Sequence, residues 1–300
     1  MGILDSLVAK LLPFTPKSVV RIVARRYIAG VTVNDAVKTV ARLNSAGAVA
    51  TVDLLGEFVK SRDVAARETE HVVHLIDEIA RTGVKSGVSV KLTSFGLDID
   101  PQFCRANLRQ ILQRGKDRKI FVRIDMENTP YTDETIAIAR EMWGEFPGGV
   151  GIVLQAYLRR TLNDVAELAP TGISFRLCKG IYVEDESVAF KDRDEIRESY
   201  VACLNAMFDN GCFVGIATHD DALIDAARAI VAERNLGGDA YEFQMLLGVR
   251  ESKRDELIRE GHRMRIYVPF GEDWYGYSIR RLKENPAVAG HVLKAIFTGD

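Results

Sequence analysis

The stretch YSIRRLKEN, residues 277–285, sets Tyr277, Arg280, Arg281 and Glu284 at i, i+3, i+4 and i+7, so a helix would carry all four on one face. Adjacent guanidinium groups on such a face suit an anion, and a carboxylate is their natural bidentate partner. A second anion-binding set is Arg176-x-x-Lys179-Gly180, in which a guanidinium, an ammonium and a residue small enough for close backbone approach suit a pyrophosphate. Further polar residues close short apolar runs: Asp53, Lys91, Asp125 with Glu127, Gln155, Thr218 with His219, Gln244 and Tyr267. Any one of them has an ordinary explanation, since a lone Asp at a strand end often caps a helix and a lone His is more often a satisfied polar residue than a ligand. Their recurrence at the same place in successive runs gives them weight as a set.

Those runs are GAVATVDLLG, GVSVKLTSFG, KIFVRIDMEN, GVGIVLQAYL, ISFRLCKGIY, CFVGIATHD, YEFQMLLG and RMRIYVPFG, eight in all, and amphipathic helical stretches such as RETEHVVHLIDEIAR and DALIDAARAIVAERN separate them. Parallel strands need crossover helices, and eight such units close economically into an α/β fold of the (βα)8 barrel type. A doubly wound sheet is the competitor, but GGVG at 148–151 enters a strand instead of leaving one and is no nucleotide fingerprint. Residues 1–45 read as an N-terminal helical addition packing on the barrel, with Thr32 or Asn34 as N-cap of the helix through Asn44, and residues 46–300 as the barrel itself. In a barrel the strand C-termini form the reactive mouth, and here that mouth mixes Lys91, Arg176 and Lys179 with Asp53 and Asp125.

Composition narrows the chemistry. The chain of 300 residues has 47% hydrophobic and 27% charged residues and a net charge of −2, which is ordinary for a soluble globular protein and argues against nucleic-acid binding. Cys104, Cys178, Cys203 and Cys212 have neither CxxC nor metal spacing and read as buried or free thiols in a reducing compartment. A metal centre is disfavoured, because of five histidines only His219 falls at a strand end, and His71 and His74 read as helix-surface residues. A Schiff-base lyase using Lys91 or Lys179 is the alternative enzyme, although carboxylates facing Lys91 would keep it charged and poorly nucleophilic. No apolar run approaches the ~18 residues needed to span a bilayer, and no signal or transit pattern is visible, so a cytoplasmic location is expected. Ile3, Leu4, Leu7, Val8, Leu11 and Leu12 form an apolar helical stripe, read first as a helix packed on the domain and second, with Lys17, Arg21, Arg25 and Arg26 downstream, as a membrane-surface helix. Met1-Gly2 with Ser6 also fits the short myristoylation pattern that many chains share.

The ordered set VKLTSFGLD, RIDMEN, VLQAYL, RLCKGIY, ATHD, YEFQMLLG, YVPFG and YSIRRLKEN closely resembles the bacterial monofunctional proline dehydrogenases, from Lys91 to Asn285. That resemblance implies a distorted (βα)8 barrel that binds FAD, oxidises L-proline to Δ1-pyrroline-5-carboxylate and passes electrons to a membrane quinone through peripheral membrane contact at the inner face of the cell membrane. A pyrroline-5-carboxylate dehydrogenase is the further partner it implies for the product. It places Lys91, Tyr182, Leu246, Tyr267, Tyr277, Arg280, Arg281 and Glu284 at the proline site, the arginines on the carboxylate. Asp125, with Arg176 in the catalytic set, is expected beside Lys91 and the arginines, holding them in place. For the flavin it implies Met126, Gln155, Arg176, Lys179, Gly180, Ile181, Thr218, His219 and Gln244. Cys178, Ile181 and Asn128 stand where the family often has Val, Ala and Asp, a local departure in flavin packing. Tyr267 stands where relatives that use hydroxyproline have a smaller residue, so exclusion of 4-hydroxyproline is expected.

Overall fold

The computed structural model describes residues 17–284, with the side chains of 17–19, 22–23 and 280–284 outside that description, as is the stripe from Ile3 to Leu12. In chain order the elements are α1 (Lys17–Tyr27), α2 (Val33–Ser45), β1 (Val49–Leu54), α3 (Arg62–Thr82), β2 (Ser86–Val90), α4 (Pro101–Arg118), β3 (Val122–Ile124), α5 (Thr132–Glu145), β4 (Val150–Gln155), α6 (Thr161–Leu168), β5 (Ser174–Cys178), α7 (Arg193–Asp209), β6 (Val214–Ala217), α8 (Asp221–Glu233), β7 (Tyr241–Leu246), α9 (Glu251–Arg259), β8 (Met264–Phe270) and α10 (Trp274–Glu284). The strands pair in parallel in sequence order, and β8 pairs with β1, giving the closed (βα)8 barrel expected. No helix among the described residues is long and apolar enough to cross a membrane.

Strand periodicity separates the two faces of the wall. Val88 and Val90, Val122 and Ile124, Ile152 and Leu154, Phe175 and Leu177, and Ile266 and Val268 all join the core cluster between strands and helices. Of the residues between them, Ser89, Arg123, Arg176 and Tyr267 point inward and bond to other strands, while Val153 stays apolar. Arg176 on β5 reaches Ser89 on β2, Asp125 beyond β3 and Gln244 on β7. The interior is therefore polar and ionic, where most such barrels stack branched aliphatic side chains. Nearer its base, Glu242 receives Arg265 and Arg263, and Arg123 donates to the carbonyls of Ile152 and Ser174. Glycines make the room: a Cβ at Gly151 would overlap the Arg123 guanidinium, and one at Gly215 the Gln244 amide.

Helix starts follow their caps. Thr32 caps α2 in a full capping box with Asp35, Asp100 caps α4 with Pro101 at its first position, and Asp192 and Asp220 cap α7 and α8. The distortion of the barrel lies in its last helix. α2, which precedes β1, packs on both β1 and β8 and seals the seam where the ring closes. α10 packs on α1 instead, with Tyr277 buried among Ala24, Tyr27, Ile28 and Leu55 at the strand C-terminal ends. The helix bearing Arg280, Arg281 and Glu284 thus stands at the mouth, not in the outer ring.

Candidate active site

Asp125 is the hub of the mouth. Its Oδ1 accepts from Ser89 Oγ at 2.6 Å and from Arg176 Nη1 at 2.8 Å, and its Oδ2 accepts from the Tyr267 hydroxyl at 2.9 Å. Arg176 is fixed from the other side, where its Nε donates to Gln244 Oε1 at 2.6 Å while Gln244 Nε2 donates to Glu242 at 2.8 Å. That relay leaves one orientation for the Gln244 amide. The Tyr267 ring lies 5.3 Å from the Arg176 guanidinium carbon. Burial, and then the Asp125 charge, push the Tyr267 phenol well above its ordinary pKa, so it serves as a hydrogen-bond donor.

Lys91 is paired with Asp53, at 2.9 and 3.1 Å, and not held directly by Asp125. The register is the cause: Asp53 stands opposite Ser89, one inward step below Lys91, whereas the oxygens of Asp125 are taken by Ser89, Arg176 and Tyr267. Burial works against the Lys91 ammonium, but the nearby Asp53 and Asp125 carboxylates more than offset it and leave its pKa raised. Lys91 therefore stays charged and is a poor nucleophile for the Schiff-base chemistry weighed for it.

A second cluster lies at the ends of β5 and β6. Lys179, Arg193 and Arg197 all converge on Asp220, at 3.2, 3.6 and 2.9 Å, and Arg197 also pairs with Asp194 at 3.0 Å, so three cations meet two carboxylates and a small positive excess remains. These contacts hold the Asp220 carboxyl well below its usual range despite its burial. Thr218 Oγ1 accepts the Asp220 N–H, and His219 Nε2 accepts the Leu246 N–H at 3.0 Å. Gly180 has φ 114, and a Cβ there would overlap the Tyr157 ring, so only glycine fits this loop.

Other expected site residues surround these clusters. Met126 and Gln155 are buried at the ends of β3 and β4, and Gln155 Nε2 donates to the Glu127 carbonyl at 2.9 Å. Tyr182 is half-buried after β5, its phenol pKa raised first by burial and then by Glu127 and Glu57. Ile181 is exposed beside it, and Leu246 ends β7. Tyr277 is buried against α1. The side chains of Arg280, Arg281 and Glu284 lie outside the described residues. Ser89, Asp220 and Glu242 are partners the sequence reading left out of the site, and Asp53, which it placed at the mouth, was given no partner there. Their signal was there: charged or hydroxyl residues at alternate positions of one strand, as in Ser89–Lys91, Arg123–Asp125 and Glu242–Gln244.

The family described as Proline dehydrogenase matches residues 36–294 of the chain. Among curated proteins, "Proline dehydrogenase 2" of Bacillus subtilis (strain 168) is 41% identical over 276 residues, covering 92% of this chain and 91% of that one. "Proline dehydrogenase" of Deinococcus radiodurans is 35% identical over 280 residues, covering 92% and 90%. Among solved structures, proline utilization A (PutA) from Bdellovibrio bacteriovorus, inactivated by N-propargylglycine, superposes with a TM-score of 0.82 at 27% identity, over 87% of this chain and 32% of that longer one.

Proposed function

The chain belongs to the proline dehydrogenase family and is an oxidoreductase acting on a CH–NH group, and from that premise we propose how its own residues carry the reaction. The cofactor is FAD, the substrate L-proline and the product Δ1-pyrroline-5-carboxylate. When bound, FAD supplies the acceptor for the hydride that leaves proline C5, and the electrons pass to a membrane quinone. Met126, Gln155, Arg176, Lys179, Gly180, Ile181, Thr218, His219 and Gln244 would hold it. The fit is supported by the cation excess around Asp220, which suits a diphosphate, and by the Gly180 loop, where the Tyr157 ring leaves no room for a side chain.

The observation that carries the reading is the Asp125 hub, which fixes Arg176 and Tyr267 on one carboxylate near the Lys91–Asp53 pair. Arg280 and Arg281 on α10 would clamp the proline carboxylate, braced by Glu284, with Tyr277, Tyr182, Leu246 and Tyr267 around the ring. A carboxylate held at two points fixes C5, and hydride transfer becomes effectively unimolecular. Lys91 stays protonated, so it tunes the field around the substrate and takes no proton from the amine. Tyr267 would exclude 4-hydroxyproline by its bulk. Peripheral contact with the inner face of the cell membrane would bring the enzyme to its quinone, and a pyrroline-5-carboxylate dehydrogenase would consume the product.

The test uses the purified protein without an acceptor. It should be yellow, and L-proline should bleach it; a colourless protein that takes up no FAD would refute the flavin assignment. Arg281→Ala should raise KM for L-proline at least ~10-fold with FAD retained. Loss of FAD in that variant would assign the arginine to the cofactor instead.

A further inference from the structure

Residues 55–61, between β1 and α3, are tied to the turn Leu92–Phe95 that follows Lys91. The Phe58 N–H donates to Thr93 Oγ1 at 2.9 Å, the Val59 N–H donates to the Thr93 carbonyl at 3.1 Å, and Ser94 Oγ donates to the Gly56 carbonyl at 2.7 Å. Having accepted from Phe58, the Thr93 hydroxyl gives its own proton to Glu127 Oε1 at 2.5 Å, while the Thr93 N–H donates to Glu127 Oε2 at 3.1 Å. Glu127, Thr93 and Ser94 are buried. Phe58 holds φ 57, a left-handed conformation that a bulky residue keeps only where its surroundings fix it, and its ring packs 5.9 Å from that of Tyr131. Residues 55–61 therefore form a strap that leaves the end of β1, one residue past the strand that carries Asp53, and crosses to the ends of β2 and β3. Its Glu57 stands close enough to Tyr182 and Glu127 to raise the pKa of both.

We propose that Glu127 is a positioning residue for proline oxidation: acting through Thr93, it holds the 55–61 strap and the Lys91 turn at one height over the barrel mouth. The assignment rests on the proline dehydrogenase reading for its kinetic consequence and on geometry alone for its structural one. The hydrogen-bond inventory calls for a carboxyl group, whose two oxygens keep acceptor lone pairs whether or not it carries a proton. Its two oxygens take the N–H and the O–H of Thr93 separately, and this fixes the direction of the hydroxyl so that its lone pair is left for Phe58. A glutamine would set an NH2 group against one of those donors. The anchor is stiff from below as well, because Gln155 Nε2 holds the Glu127 carbonyl at 2.9 Å.

Amide hydrogen exchange of residues 55–61, read by mass spectrometry on the FAD-loaded enzyme without substrate, tests the structural half. Steady-state kinetics with L-proline test the other. Thr93→Val keeps the shape and loses the hydroxyl, Thr93→Ser keeps the hydroxyl, and Glu127→Gln keeps the shape and loses one acceptor. Thr93→Val and Glu127→Gln should speed exchange of the strap at least ~10-fold. Both should also raise KM for L-proline at least ~5-fold, with kcat within about twofold of the parent. Thr93→Ser should match the parent in both readouts. Unchanged strap exchange in either of the first two variants, or an equal defect in Thr93→Ser, would overturn the proposal. A parent enzyme that fails to oxidise proline would instead refute the function and leave the exchange result standing.

Discussion

At the scale of single residues, Asp125 and Glu127 share one strand end and do different work. Asp125 collects Ser89, Arg176 and Tyr267, and its removal leaves a buried guanidinium without its carboxylate. Asp125→Ala should therefore lower kcat/KM for L-proline at least ~100-fold, and Asp125→Asn by less, since one acceptor oxygen survives; equal losses in both would show that charge alone matters. Glu127 has its pKa raised to about 7, by burial first, with Glu57 adding to it and Thr93 and Lys91 opposing. A carboxyl raised in the folded state binds its proton more tightly there than in the unfolded chain. Its stabilising effect is complete below about pH 4.5 and is lost as pH rises to about 7. The Tm of the parent, measured against Glu127→Gln, should fall as pH rises from about 5 to about 7.5, by up to about 3 kcal/mol in stability. A flat difference would show that Glu127 is ionised throughout. Sequence could nominate Asp125 and Lys91 because each ends an apolar run, yet it could not pair them. Pairing depends on register, and register set Asp53 below Lys91.

The elements were more legible than the contacts. Apolar runs and helical stretches alternate plainly, Thr32 caps α2 as its sequence suggests, and each βα unit follows from local chemistry. What remained hidden is the ionic filling of the barrel below the mouth, because Arg123, Glu242 and Arg265 read singly as surface charges until strand alternation turns them inward. Gly215 belongs to the same hidden layer. A Cβ there would overlap the Gln244 amide and push it from Arg176, so Gly215→Ala should cost ~1–3 kcal/mol and weaken FAD retention. Denaturant midpoints and the flavin-to-protein absorbance ratio check both effects. An unchanged flavin ratio would mean that Gln244 holds Arg176 without serving the cofactor.

For the molecule as a whole, the seam decides. Eight units predicted a ring, but nothing local showed that α2, ahead of the first strand, would cover the junction of β1 and β8. Thr32→Ala should therefore act on the whole fold and not on one helix end, lowering Tm by about 2 °C through loss of ~1 kcal/mol while kcat and KM stay at parent values. A shift in KM would show that α2 reaches the site. The same seam bears on α10. Because another helix covers the junction, the one carrying the arginine pair is not needed to shut the ring. In synthesis β8 must emerge before the first and last strands can meet, and α10 emerges after it, to dock on a barrel already able to close. Damage to α10 should then leave a cooperatively melting protein that turns over no proline. Screens that score expression or melting temperature would pass such variants as healthy, and only a turnover assay would find them.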